Sequence, residues 1–131
     1  MQQSQPTSRR SKETTKRTVL LADDDEEFRE TLVIWLASEE GWYVREAADG
    51  EDVLSKIDES VDVLVLDRRM PNLSGPEVID RIDETEFDGD VFVLSAYEAD
   101  EHLNGDGDRI TAYITKPIRR EEFLERLETG R

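Results

Sequence analysis

A near-continuous apolar run, Val61 to Leu66, breaks off at Asp67, and this transition constrains the fold more than any other stretch. Val61, Val63, Leu64, Val65 and Leu66 leave no polar face, the pattern of a parallel-sheet strand covered by helices on both sides. Two arginines, Met70-Pro71-Asn72 and Ser74-Gly75 follow, so charge and turn chemistry begin where the strand ends. Open parallel sheets bind ligands beyond the carboxyl ends of their strands. Asp67 stands at such an end.

A second apolar run, Val19 to Ala22, also stops in acid, at Asp23-Asp24-Asp25. If the two strands are neighbours, several carboxylates converge, and charges a few Å apart at low dielectric repel strongly. A hard divalent cation with oxygen ligands offsets such repulsion, and Mg²⁺ suits a site of few carboxylates and several waters. Lys116, just past Tyr113-Ile114-Thr115, is a second source of positive charge.

The set ADDDEEF, VLVLDRRMP, VFVLSAY and YITKPI resembles the receiver domain of two-component response regulators. The likeness runs from Thr18 to about Glu128, and four weak motifs in this order are together specific. Carried over by position, Asp23 and Asp24 match the acidic metal-binding pair and Asp67 the phosphoacceptor. Arg69, two residues on, matches the position whose backbone carbonyl completes the metal's ligands. Ser95 matches the hydroxyl position, Lys116 the lysine before a cis-proline (Pro117), and Tyr113 the aromatic switch. Arg69 and Tyr97 occupy the positions whose side chains tune attack by water on the phosphoryl group. The resemblance implies Mg²⁺ as cofactor, with Mn²⁺ as an alternative, and a sensor histidine kinase or phosphotransfer protein as partner. It implies a switch that catalyses only its own phosphorylation and dephosphorylation. Its signalling surface would be the fourth helix, fifth strand and fifth helix, which also offers itself for a homodimer; an output domain or downstream protein stays unidentified.

Composition narrows the setting. At 131 residues the chain suits one domain, residues 18–131, after a basic tail, residues 1–17, expected to be disordered. Without cysteine there is no disulfide and no thiolate metal site. With no long apolar run, a membrane span is not expected and a cytoplasmic location is the default. The net charge is −16; the tail carries +4, so the other 114 residues carry −20. Arginine outnumbers lysine 13 to 4. This pattern resembles proteins of salt-accumulating halophiles, haloarchaea especially, and an acidic body argues against direct nucleic-acid binding.

Strand and helix patterns alternate along the chain. Thr18–Ala22 reads as a strand, and a helix beginning at Asp24-Asp25 follows, with Phe28, Leu32, Trp35 and Leu36 on one face up to Gly41. Trp42–Ala47 is the next strand, followed by a helix carrying Val53, Leu54 and Ile57. Pro76 suits the first turn of a third helix with Val78, Ile79 and Ile82 inward. Val91–Leu94 and Ile110–Thr115 are strands, and Arg119–Glu128 is a helix burying Phe123, Leu124 and Leu127. Between them, Ala96–Arg109 offers only Leu103 as a strong anchor and holds Gly105 and Gly107, so at most a short, weakly packed helix around Glu98–Leu103, then a loop, is expected. His102 reads as a surface residue, and the spacing after Asp106-Gly107-Asp108 is wrong for a calcium loop. The expected fold is α/β: a doubly wound, five-stranded parallel sheet with helices on both faces. The resemblance implies the flavodoxin-like strand order 2-1-3-4-5, with Asp23, Asp24 and Asp67 at the switch point.

Rival readings are a degenerate receiver that binds partners without phosphorylation, a phosphohydrolase with an aspartyl nucleophile, and a flavodoxin-like cofactor module. The hydrolase pattern wants a second Asp two residues past the nucleophile, where this chain has Arg69. The cofactor module wants a Ser/Thr/Gly-rich phosphate loop after the first strand, where this chain has three aspartates.

Overall fold

The computed structural model of the protein describes residues 16–96 and 109–130. Residues 1–15 of the basic tail, Tyr97, the helix expected around Glu98–Leu103, His102 and the Asp106–Asp108 segment lie outside the described residues.

Five strands form one parallel sheet: β1 (Arg17–Ala22), β2 (Trp42–Ala47), β3 (Val63–Asp67), β4 (Asp90–Ser95) and β5 (Ala112–Thr115). Their order is β2-β1-β3-β4-β5, as the resemblance implied. Four helices are seen among the described residues: α1 (Glu26–Ala37), α2 (Gly50–Lys56), α3 (Gly75–Ile82) and α4 (Arg120–Thr129). Every residue of β3 is buried, because the sheet is covered on both faces and β3 is its central strand. Side chains alternate across each strand, and two cores result. Leu20, Leu64, Leu66 and Val93 pack with Val53 and Ile57 from the α2 segment and Val78, Ile79 and Ile82 of α3. Val19, Leu21, Val63, Val65, Phe92 and Ile114 pack with Leu32 and Leu36 of α1 and Phe123 and Leu127 of α4. Each such side chain contributes roughly 1.5–3 kcal/mol through removal from water.

Local chemistry sets the helix starts. Asp25 caps α1 by accepting the Phe28 N–H, and Asp49 caps α2 by accepting the Asp52 N–H. Ser74 and Glu77 form a reciprocal capping box at α3, with Pro76 in its first turn. α4 lacks a side-chain cap at Arg119 and ends at Gly130, whose φ of 75° a left-handed C-cap requires.

Differences from the sequence reading are at element ends. Arg17, read as the last residue of the tail, opens β1, with its guanidinium 5.1 Å from the Trp42 ring centroid. Val61 and Asp62 precede β3 instead of belonging to it; the Asp62 carboxylate accepts the Thr18 N–H at 2.7 Å. α1 stops at Ala37, before Gly41, because Ser38 caps it and begins a turn. β5 starts at Ala112, two residues later than Ile110. Leu124 faces inward as expected, partly buried against the core beneath α4.

Candidate functional site

In the sheet register Ala22 lies opposite Leu66, so Asp23 and Asp67 leave neighbouring strands at the same carboxyl edge. Both are buried, at 1% and 7% exposure, whereas Asp24 is exposed. One carboxylate oxygen from each of Asp23, Asp24 and Asp67 lies within 4.8 Å of the others. Lys116, just past β5, brings its Nζ to 3.1 Å from Asp23 Oδ2 and 3.4 Å from Asp67 Oδ1. The Lys116–Pro117 peptide bond is cis, as the resemblance implied.

Asp23 is held at every polar atom that the fold presents. Its N–H donates to the Ala47 carbonyl at 3.2 Å, and its Oδ1 accepts the Asp25 N–H at 2.9 Å. Its carbonyl oxygen accepts from the Arg29 guanidinium, which pairs with Glu46 at 2.8 Å. Burial raises the Asp67 carboxyl from 3.8 to about 6; the Asp23 charge adds to this, while Lys116 and the Arg69 backbone N–H oppose it. Burial alone would lower the Lys116 ammonium, yet the charges of Asp67 and Asp23 outweigh it and the shift is upward.

The loop after β3 is clamped. The Gly75 N–H donates to the Arg68 carbonyl at 3.0 Å, and Asn72, at φ 70°, donates to Asp49 at 2.9 Å. Ser95 ends β4 beside this edge, 2% exposed, and its carbonyl accepts the Lys116 N–H at 2.7 Å. Tyr113 lies on β5, two strands along the sheet from β3. It is half-buried against the core that α2 and α3 cover, opposite in facing to Ile114. The Arg69 backbone N–H meets the Asp67 carboxylate. Sequence reasoning missed two participants: Phe28, whose ring centroid lies 4.6 Å from Lys116 Nζ, and Arg29, which clamps Asp23. Phe28 was legible only as one more apolar residue on the α1 face.

Two buried carboxylates and the exposed Asp24 meet here, and Lys116 pairs with the two buried ones. An all-oxygen donor set of that kind fits a hard dication such as Mg²⁺.

Comparison with known proteins gives the same outline. The profile of the response regulator receiver domain matches residues 19–128. A Haloferax volcanii protein named as a candidate transcriptional regulator is 38% identical over 110 residues, covering 84% of this chain and 18% of that protein. The signal receiver domain of the response regulator NarL from Mycobacterium tuberculosis is 28% identical, with a TM-score of 0.78 over 88% of this chain and 97% of that one. Response regulator TrrA of Thermotoga maritima, solved in complex with Mg²⁺ and BeF, is 27% identical, with a TM-score of 0.75 over 88% and 99%. The chain spans 18% to 48% of the length of curated relatives that it matches. Among the described residues no helix is long and apolar enough to cross a membrane. With the acidic edge built from β1 and β3, the 2-1-3-4-5 sheet and the match over residues 19–128, the chain belongs to the response regulator receiver domain family of two-component signalling systems.

Proposed function

We propose that this domain accepts a phosphoryl group from a histidine kinase or phosphotransfer protein onto Asp67. The observation that carries this reading is the joining of Asp23, Asp24 and Asp67 at one strand edge with Lys116 bridging the two buried carboxylates. An Asp67 oxygen attacks the phosphorus of the phosphohistidine in line. The O–P bond forms as the P–N bond breaks; its electron pair stays on the ring nitrogen, and because the other ring nitrogen carries a proton, histidine leaves as neutral imidazole. Asp23, Asp24, Asp67 and the Arg69 carbonyl would hold Mg²⁺ or Mn²⁺. When bound, such an ion would supply positive charge that offsets the carboxylates and the charge of the phosphoryl group. Lys116 meets the incoming group as a point charge, and the Ser95 hydroxyl donates to one of its oxygens.

Arg69 is bulky and has no carboxamide or carboxylate to orient a water, so the aspartyl phosphate is long-lived relative to fast chemotaxis-type receivers; Tyr97, the other position that the resemblance assigns to this role, lies outside the described residues. Tyr113 turning inward would pass the change to the surface around β5 and α4, where a homodimer or a downstream partner reads it. The acidic body disfavours nucleic acid there, and the domain works in the cytoplasm. The TrrA complex with Mg²⁺ and BeF supports the cation assignment by likeness.

Labelling tests the reading. With a phosphodonor and Mg²⁺ the chain should gain one phosphoryl group, and Asp67→Asn should gain none, because an amide is a poor nucleophile and a poor metal ligand. Equal labelling of the variant moves the acceptor elsewhere. An unlabelled wild-type chain that still binds a partner favours a phosphorylation-independent module, and steady hydrolysis of a phosphomonoester favours a hydrolase.

A further inference from the structure

Lys116 ends on a flexible four-carbon stem, so its ammonium needs more than one restraint to keep a fixed position. The two carboxylates at 3.1 and 3.4 Å supply part of it. Any cation taken up by those same carboxylates competes with the ammonium for them. The third restraint does not share that weakness. The Phe28 ring centroid lies 4.6 Å from Lys116 Nζ, and the negative face of an aromatic ring attracts an ammonium without using the carboxylates.

The ring's place is fixed by the site itself. Asp25 donates its N–H to Asp23 Oδ1 at 2.9 Å and accepts the Phe28 N–H on its own Oδ1 at 3.1 Å. One residue thus orients a buried carboxylate and starts the helix that carries the ring. Phe28 is half-buried and packs against the core beneath α1, which limits its rotamers. Packing into the core does not by itself place a ring face beside the Lys116 ammonium.

We infer that Phe28 is a positioning residue whose ring holds the Lys116 ammonium at the mouth of the acidic site, and that it acts on phosphoryl transfer only through that lysine. This rests on the role proposed above for Lys116.

The test uses the whole chain at saturating Mg²⁺ with acetyl phosphate as donor. In that reaction the donor's P–O bond breaks, acetate leaves with the electron pair, and the new O–P bond forms on Asp67. Phe28→Leu should slow labelling by roughly 3–10-fold, the range that a cation–π contact of this exposure allows. Phe28→Trp, which restores a ring face, should stay within about twofold of the parent. Lys116→Met should be slow by itself, and adding Phe28→Leu to it should slow it no further, because the cycle isolates the pairwise effect. The Lys116 ε-methylene protons should show a ring-current shift in the Mg²⁺-loaded protein that Phe28→Leu abolishes.

Equal slowing by Phe28→Leu with and without Lys116 would overturn the inference. So would a Phe28→Trp variant as slow as Phe28→Leu, or a ring-current shift that vanishes when Mg²⁺ is added. Should Phe28→Leu fail to fold, the Phe28→Trp rate and the ring-current shift still decide. Lys116→Met labelling at the parental rate would instead remove the role of the lysine, and the inference with it. A slow Lys116→Met beside a fast Phe28→Leu sinks the inference alone.

Discussion

Between pH 4 and pH 6 the folded protein holds a proton on Asp67 that the unfolded chain releases, because the folded carboxyl titrates near 6 and the unperturbed one at 3.8. Stability from this group therefore falls as pH rises through that window, and the cost is complete above pH 6. Asp67→Asn removes it. In metal-free buffer the variant should be more stable than the parent at pH 7.5, by on the order of 2–3 kcal/mol, with the gap closing toward pH 4. Urea titrations at a series of pH values read this directly, and parallel curves would show that Asp67 is not held at a cost. Added Mg²⁺ should raise the parent's midpoint while leaving Asp67→Asn almost unmoved. The cost comes from burial of Asp67 together with the Asp23 charge beside it, and on the reading proposed above a bound cation would relieve it.

At the scale of elements, the loop between β3 and α3 is held by close approach. A Cβ on Gly50, at the start of α2, would run into the Leu73 backbone carbonyl, whereas one on Gly41 meets nothing within 4 Å. Gly50→Ala should lower stability by about 2 kcal/mol or more and slow phosphorylation, since Leu73 belongs to the loop that follows Asp67. Gly41→Ala should be within about 0.5 kcal/mol of the parent. Thermal melts and labelling rates on the two variants make the comparison, and equal effects would refute it.

This contact marks where legibility stops. The apolar run into Asp67 announced a central strand, and acid after β1 announced the site, because both signals are local. Strand order came through likeness of motifs. The clash at Gly50, the Arg29 clamp on Asp23 and the ring over Lys116 leave no period or spacing in the sequence. They arise only when α2 meets the 67–75 loop, α1 turns back on the end of β1, and Lys116 is brought against α1. Element ends slipped for a related reason: Ser38 capped α1 before Gly41, and the Asp62 side chain turned back to accept the Thr18 N–H just ahead of β3.

The whole molecule carries −16, and its ion pairs do not neutralise the field. Arg29–Glu46, Arg45–Asp58, Lys56–Asp52 and Arg120–Glu39 are surface pairs, each contributing about 0–1 kcal/mol. Net repulsion among the acids should make stability climb with salt. From dilute buffer to 2 M KCl the melting temperature should rise by about 5–15 °C. A flat response would detach the charge pattern from any halophilic habit, which the Haloferax volcanii relative otherwise accompanies.

The acidic edge also joins residues far apart along the chain: Lys116 reaches Asp23 across 93 positions and Asp67 across 49. Such pairings form late, since chain closure must come before they reward it. During synthesis the ribosome delivers both buried aspartates well before the lysine. A chain paused at Leu94 has neither the hydroxyl nor the ammonium of the site, and its β4 has no outer neighbour. On the reading proposed above, the full set of groups at the acidic edge is therefore present only once translation has passed Lys116.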